Sequence, residues 1–147
     1  MNVEEFRDFC LSFPDTREGM PFEGFFKNSK SILVFYVGKK MFCLFDLDKF
    51  DRCTLKCDPK LIDELRDQKG IDKPFNLSPK HWISVELNGD VSWEFIKELI
   101  AKSYQLVTYG LQKINNQVFI NFITQIGSNQ YIKIILFSLC RLMKVGI

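Results

Sequence analysis

The stretch Ser31-Ile32-Leu33-Val34-Phe35-Tyr36-Val37-Gly38-Lys39-Lys40-Met41-Phe42-Cys43-Leu44-Phe45-Asp46 decides the fold. Two runs rich in β-branched and aromatic residues, Ser31–Val37 and Lys40–Asp46, flank the pair Gly38-Lys39. Such side chains suit a pleated, half-buried surface, and a glycine-led pair between them suits a tight hairpin turn. Beyond the hairpin, Asp48-Lys49-Phe50-Asp51 makes a polar connection to a third strand, Arg52–Cys57, whose alternation puts Cys53, Leu55 and Cys57 on one face. A further strand is predicted over His81–Leu87, ending at Asn88-Gly89.

Helices flank these strands. Val3, Phe6, Cys10 and Phe13 recur at helical spacing, with Phe9 widening the stripe and Pro14 closing it. Asn2 and Glu5 have the spacing of a capping box. Glu18-Gly19-Met20-Pro21-Phe22 suits a turn into an irregular or short edge strand. Asp58-Pro59 is expected to start a second helix, with Leu61, Ile62 and Leu65 inward and Gly70 ending it. The last helix is predicted from about Ser92 to Tyr109, with Gly110 as its C-cap. Helices segregated beside an antiparallel sheet make the class α+β, with the sheet packed by its N- and C-terminal helices.

The chain has 147 residues, which fits one domain with a core of its own. Its charge is uneven. Residues 1–111 carry 16 Lys and Arg against all 18 Asp and Glu, whereas residues 112–147 carry Lys113, Lys133, Arg141 and Lys144 and no acid. We therefore divide it into a domain at 1–113 and an atypical C-terminal extension at 114–147. In that extension Ile132, Ile135, Leu136, Leu139, Leu142 and Met143 fall at helical spacing, a stripe too short and too charged to span a bilayer. No integral membrane association is expected. Five cysteines set in apolar patterns, and an N-terminus interrupted by Glu4, Glu5 and Asp8, suit reduced thiols and a cytoplasmic location.

The chemical candidates are few. His81 is the one histidine, beside Trp82, and no local motif pairs it with a nucleophile. A contact between Cys57 and His81 would need the sheet to bring them together, and Lys56-Cys57-Asp58-Pro59 is equally explained as a packed strand-to-helix junction. Cys53 and Cys57 lie too far apart along a strand to share a zinc ion, and no Cys/His set completes a tetrahedral site. Phosphate loops, dinucleotide fingerprints and nucleophile elbows are absent from the sequence. A non-enzymatic protein without cofactor or metal is the expectation. Lys39-Lys40 and Lys27-Asn28-Ser29-Lys30 are basic turns able to meet phosphates; hairpin lysines also serve simply to keep a sheet edge solvated.

Gly38-Lys39-Lys40-Met41-Phe42-Cys43-Leu44, Leu55-Lys56-Cys57-Asp58-Pro59, Lys80-His81-Trp82 and Lys102-Ser103-Tyr104-Gln105-Leu106-Val107 together resemble the MmcQ/YjbR family, in that family's order and over about residues 1–113. The resemblance implies a CyaY-like (frataxin-like) fold and a "double-wing" DNA-binding module, in which paired hairpins approach double-stranded DNA. On that reading Lys27, Lys30, Lys39, Lys40 and Lys80 would contact phosphates, with His81 and Trp82 near the surface. Ile83 and Gln105 stand where the family usually has asparagine and aspartate. The alternative is a protein- or small-molecule-binding regulatory domain with a groove near His81 and Trp82. The fold likeness to frataxins also draws attention to Glu4, Glu5, Asp8, Asp15 and Glu18, a thin acidic ridge equally explained as a solvated face.

Overall fold

The computed structural model describes residues 1–24 and 31–126. The chain divides into two units, Met1–Tyr109 and Gly110–Ile147. Helix α1 (Val3–Leu11) is followed by strands β1 (Thr16–Gly19), β2 (Ile32–Val37), β3 (Lys40–Asp46) and β4 (Arg52–Lys56). Helix α2 (Ile62–Arg66), strands β5 (Ile71–Asp72) and β6 (Trp82–Glu86), and helix α3 (Trp93–Ile126) complete the order. The six strands pair antiparallel throughout, in the order β1-β2-β3-β4-β6-β5. The protein is α+β, with helices at both ends of the sheet's chain segment.

The local reasons match the chemistry of the residues. Gly38 takes φ 58° as the first of the two turn residues, the position where a hairpin turn needs a positive φ. The Asn2 side chain accepts from the Glu5 amide at 2.8 Å, and the Glu5 carboxylate accepts from the Asn2 amide at 3.0 Å, closing the capping box. Ser92 caps α3 by accepting from the Phe95 amide.

Cross-strand rows build the core. Leu33, Phe45, Cys53, Val85 and Ile71 stand side by side across the sheet, next to the row Phe35, Cys43, Leu55 and Ile83. All of these are buried, together with Phe6 and Cys10 of α1 and Ile96, Leu99, Ile100 and Val107 of α3. The Phe6 ring meets Phe45 edge-on at 4.9 Å. The β2–β3 register shifts after Phe35, leaving Phe42 as an extra residue. Such a bulge turns two successive side chains inward, and both Phe42 and Cys43 are fully buried. Ser103 of α3 satisfies the polar groups beside the bulge, donating to the Phe42 carbonyl and accepting from the Lys56 amide at 2.9 Å.

Four elements differ from the sequence expectation. Glu18 and Gly19 lie inside β1, so the edge strand precedes the turn at 21–24 instead of following it. Helix α2 begins at Ile62, because Asp58 is spent on a preceding turn: its carboxylate accepts from the Lys60 amide and its carbonyl from the Leu61 amide. Gly70 does not end that helix. It takes φ 90° and accepts from the Glu86 amide, opening β5, a strand the sequence expectation left as loop. Helix α3 runs past Gly110 and Asn115-Asn116 to Ile126, since neither breaks a helix outright and no proline follows. The predicted tail stripe, Ile132 to Met143, lies outside the described residues.

Candidate nucleic-acid interface

Sheet register gathers several of the candidate residues. β3 and β6 both run antiparallel to β4, so both start at one end of the sheet, where β4 finishes. The Cys57 amide donates to the His81 carbonyl at 2.8 Å, extending the β4–β6 ladder to that end. The β2–β3 turn with Lys39 and Lys40, the end of β4 with Lys56, and the 73–81 loop with Lys73, Lys80 and His81 therefore border one end of the sheet. Two strand spacings, about 10 Å, separate the backbones of β3 and β6. Lys39, Lys40, Lys73, Lys80 and His81 are exposed. Asp15 and Asp58 border this end, and exposed Asp72, which directly precedes Lys73 at the close of β5, is ion-paired with Arg52. The opposite end carries Asp46, Asp48, Asp51, Glu86 and Asp90, with Lys49, Arg52 and Lys69. Charge is thus segregated along the strands of a body that is slightly acidic overall.

Trp82 is only 8 % exposed, with the Lys56 ammonium 5.9 Å from its ring centroid. Its carbonyl accepts from Arg66 Nη2 at 3.0 Å, and the same nitrogen donates to the Pro79 carbonyl. Trp82 is a packed strand-entry residue rather than a surface plate, and His81 sits exposed just before it. Lys27 and Lys30 lie outside the described residues.

A groove of about 590 Å³ opens between α2 and α3. Leu61, Leu65, Phe95, Leu99 and Leu106 give it apolar walls, and Cys57, Asp58 and Lys102 give it a polar end. His81 and Trp82 do not line it. Burial, and after it the charge of Asp58, pushes the Cys57 thiol up; the opposing influences of Arg66 and Lys102 are smaller. At neutral pH that thiol stays protonated, which makes it a weak nucleophile. No side chain among the described residues hydrogen-bonds the His81 imidazole. The acids of the thin ridge are partly committed elsewhere: Glu5 to the capping box and Glu18 to a two-point ion pair with Arg7.

Sequence reasoning passed over Lys56, Arg66, Lys73 and Phe75. Lys73-Pro74-Phe75, an aromatic beside a lysine and a proline, was the available signal, but its exposure depends on β5, which that reasoning left as loop. Arg66 acts on backbone carbonyls 13 and 16 residues away, which no motif encodes.

The YjbR family profile matches residues 11–106, from the end of α1 into α3. The chain belongs to the YjbR family. Among solved structures, this YjbR chain is similar to a Deinococcus radiodurans protein with a DUF419 domain, at 35% identity and TM-score 0.63, covering 73% of this chain and 78% of that one. A Pseudomonas syringae protein is similar at 29% identity and TM-score 0.60 in its crystal structure, with 73% and 99% covered. Its solution structure gives 28% identity and TM-score 0.57, with 73% and 93% covered. Among curated proteins none is significantly similar. The YjbR resemblance carried by the β2–β3 hairpin and the Lys102–Val107 segment is therefore a family relationship. Among the described residues no helix is long and apolar enough to cross a membrane.

Proposed function

We propose that this YjbR protein is a non-enzymatic DNA-binding module that meets phosphates with the basic end of its sheet. The observation that carries the reading is the convergence of Lys39, Lys40, Lys73 and Lys80, from two separate connections, on one end of an otherwise mildly acidic body. A local basic patch concentrates potential where a polyanion docks, whereas dispersed lysines would not. Lys56 is partly drawn to Trp82, so the four ammonium groups with no ion pair among the described residues are the working set. Four phosphate contacts give a slope of log affinity against log salt of about −3.6. Titration of duplex DNA at two or more salt concentrations measures it directly. Replacing Lys39 and Lys40 with alanine should weaken binding at every sequence tested and flatten the slope by about 1.8. Binding indifferent to salt, or untouched by the double substitution, refutes the assignment.

A second reading rests on the α2–α3 groove, whose volume falls within the roughly 300–1,000 Å³ range of small-molecule sites. Here the protein would bind an apolar ligand or peptide as a regulatory domain. Leu61→Glu and Leu106→Glu would abolish that binding while leaving the salt-dependent DNA titration intact.

A further inference from the structure

Phe75 is 88 % exposed, at the same sheet end as the lysines. It sits on the connection from β5 to β6, with exposed Lys73 on one side and exposed Lys80 and His81 on the other. A lone exposed apolar residue needs no explanation in itself. This one differs because its loop is held on several sides. Pro74 and Pro79 restrict the backbone on either side of it. Asn76 takes φ 59°, a left-handed conformation that fixes the direction of the chain just after the ring. Arg66 Nη2 donates to the Pro79 carbonyl at 2.5 Å and the Trp82 carbonyl at 3.0 Å, and the His81 amide donates to the Ser78 carbonyl. The backbone is thus ordered by short local constraints while the phenyl ring is left in water, on a connection that also carries the exposed Lys73 and Lys80.

We infer that Phe75 is a stacking platform for an unpaired nucleobase, so that the basic sheet end prefers single-stranded DNA to duplex. This rests on the DNA-binding reading above and narrows its ligand. The chemistry follows from what each group can reach. Lysines neutralise phosphates of either form and do not discriminate between them. An aromatic face can stack only on a base whose own face is free, and a continuous duplex hides those faces except at its ends. Cations flanking an aromatic ring are the combination that binds single strands with little regard to sequence. Arg66 is a positioning residue here: it holds the loop through carbonyls and faces no ligand itself.

The test compares a thymidine oligonucleotide of about 12 residues with the matching duplex, using the full chain, Phe75→Ala and Phe75→Trp. The wild-type protein should bind the single strand more tightly. Phe75→Ala should lose roughly tenfold on the single strand, as expected from one base–aromatic stack, and less than about twofold on the duplex, with the salt slope unchanged. Phe75→Trp should retain affinity and show quenching of its added indole when the strand binds. Phe75 is exposed, so both variants should keep the wild-type circular dichroism. Equal loss on both ligands, or no loss on the single strand, overturns the stacking role while salt-dependent binding by the wild type leaves the parent reading standing. If the wild type binds neither ligand at low salt, both readings fall.

Discussion

At the scale of single residues, Ser103 shows how much one hydroxyl decides. It donates to the Phe42 carbonyl and accepts from the Lys56 amide, joining α3 to the two strands at the bulge. The Phe42 carbonyl belongs to the bulged residue and the Lys56 amide to the last residue of β4, and Ser103 itself is only 1% exposed. Leaving a buried donor or acceptor without a partner costs about 1–3 kcal/mol each. Ser103→Ala should therefore destabilise the fold by about 2–4 kcal/mol, measured by denaturant unfolding; a loss below about 0.5 kcal/mol would mean that water reaches these groups. Part of this was open to sequence reading, which put Ser103 within the last predicted helix. Its two backbone partners were not, because they are 61 and 47 residues away. The reverse holds for Asn2 and Glu5, whose bonds are three residues apart and follow from spacing alone.

At the scale of elements, the legible ones are those specified by neighbours in the chain. The β2–β3 hairpin follows from a glycine-led turn between two apolar runs, and α1 from its stripe and cap. β5 was missed because Ile71 is its one apolar residue and only its pairing with Val85 makes it a strand. Helix α2 was overextended because Asp58 has two uses, capping a turn or a helix, and the turn took it. The end of α3 was misplaced for a different reason. A glycine marks a helix terminus when the chain adopts positive φ there, and Gly110 is not among the residues that do. A side chain at Gly110 would meet nothing within 4 Å. Gly110→Ala should therefore raise stability by about 0.5–1 kcal/mol through helix propensity. Were Gly110 a left-handed C-cap, the same substitution would lower it. The sign of the change in melting temperature separates the two cases, and helicity at 222 nm should move with it.

At the scale of the whole molecule, the question is which part would carry the proposed DNA binding. Every residue buried among those described, from Phe6 to Val107, belongs to the unit Met1–Tyr109, and so does the complete sheet. We propose that this unit is self-sufficient, and that a chain ending at Lys113 unfolds cooperatively with a midpoint within about 5 °C of the full chain, a difference of about 1 kcal/mol for a domain of this size. Such a chain retains 17 Lys and Arg against 18 Asp and Glu, so its net charge no longer favours a polyanion. Net charge and local charge then make opposite forecasts. If the acid-free extension with Lys133, Arg141 and Lys144 were the source of affinity, the shortened chain would bind DNA weakly and with a shallow salt slope. If the basic end of the sheet is the source, the shortened chain keeps both its affinity and a slope near −3.6. The proposed function expects the second outcome, with Lys39 and Lys40 on the β2–β3 turn and Lys73 and Lys80 on the 73–81 loop, because phosphates within a Debye length of about 10 Å respond to the nearest charges rather than to the molecular total.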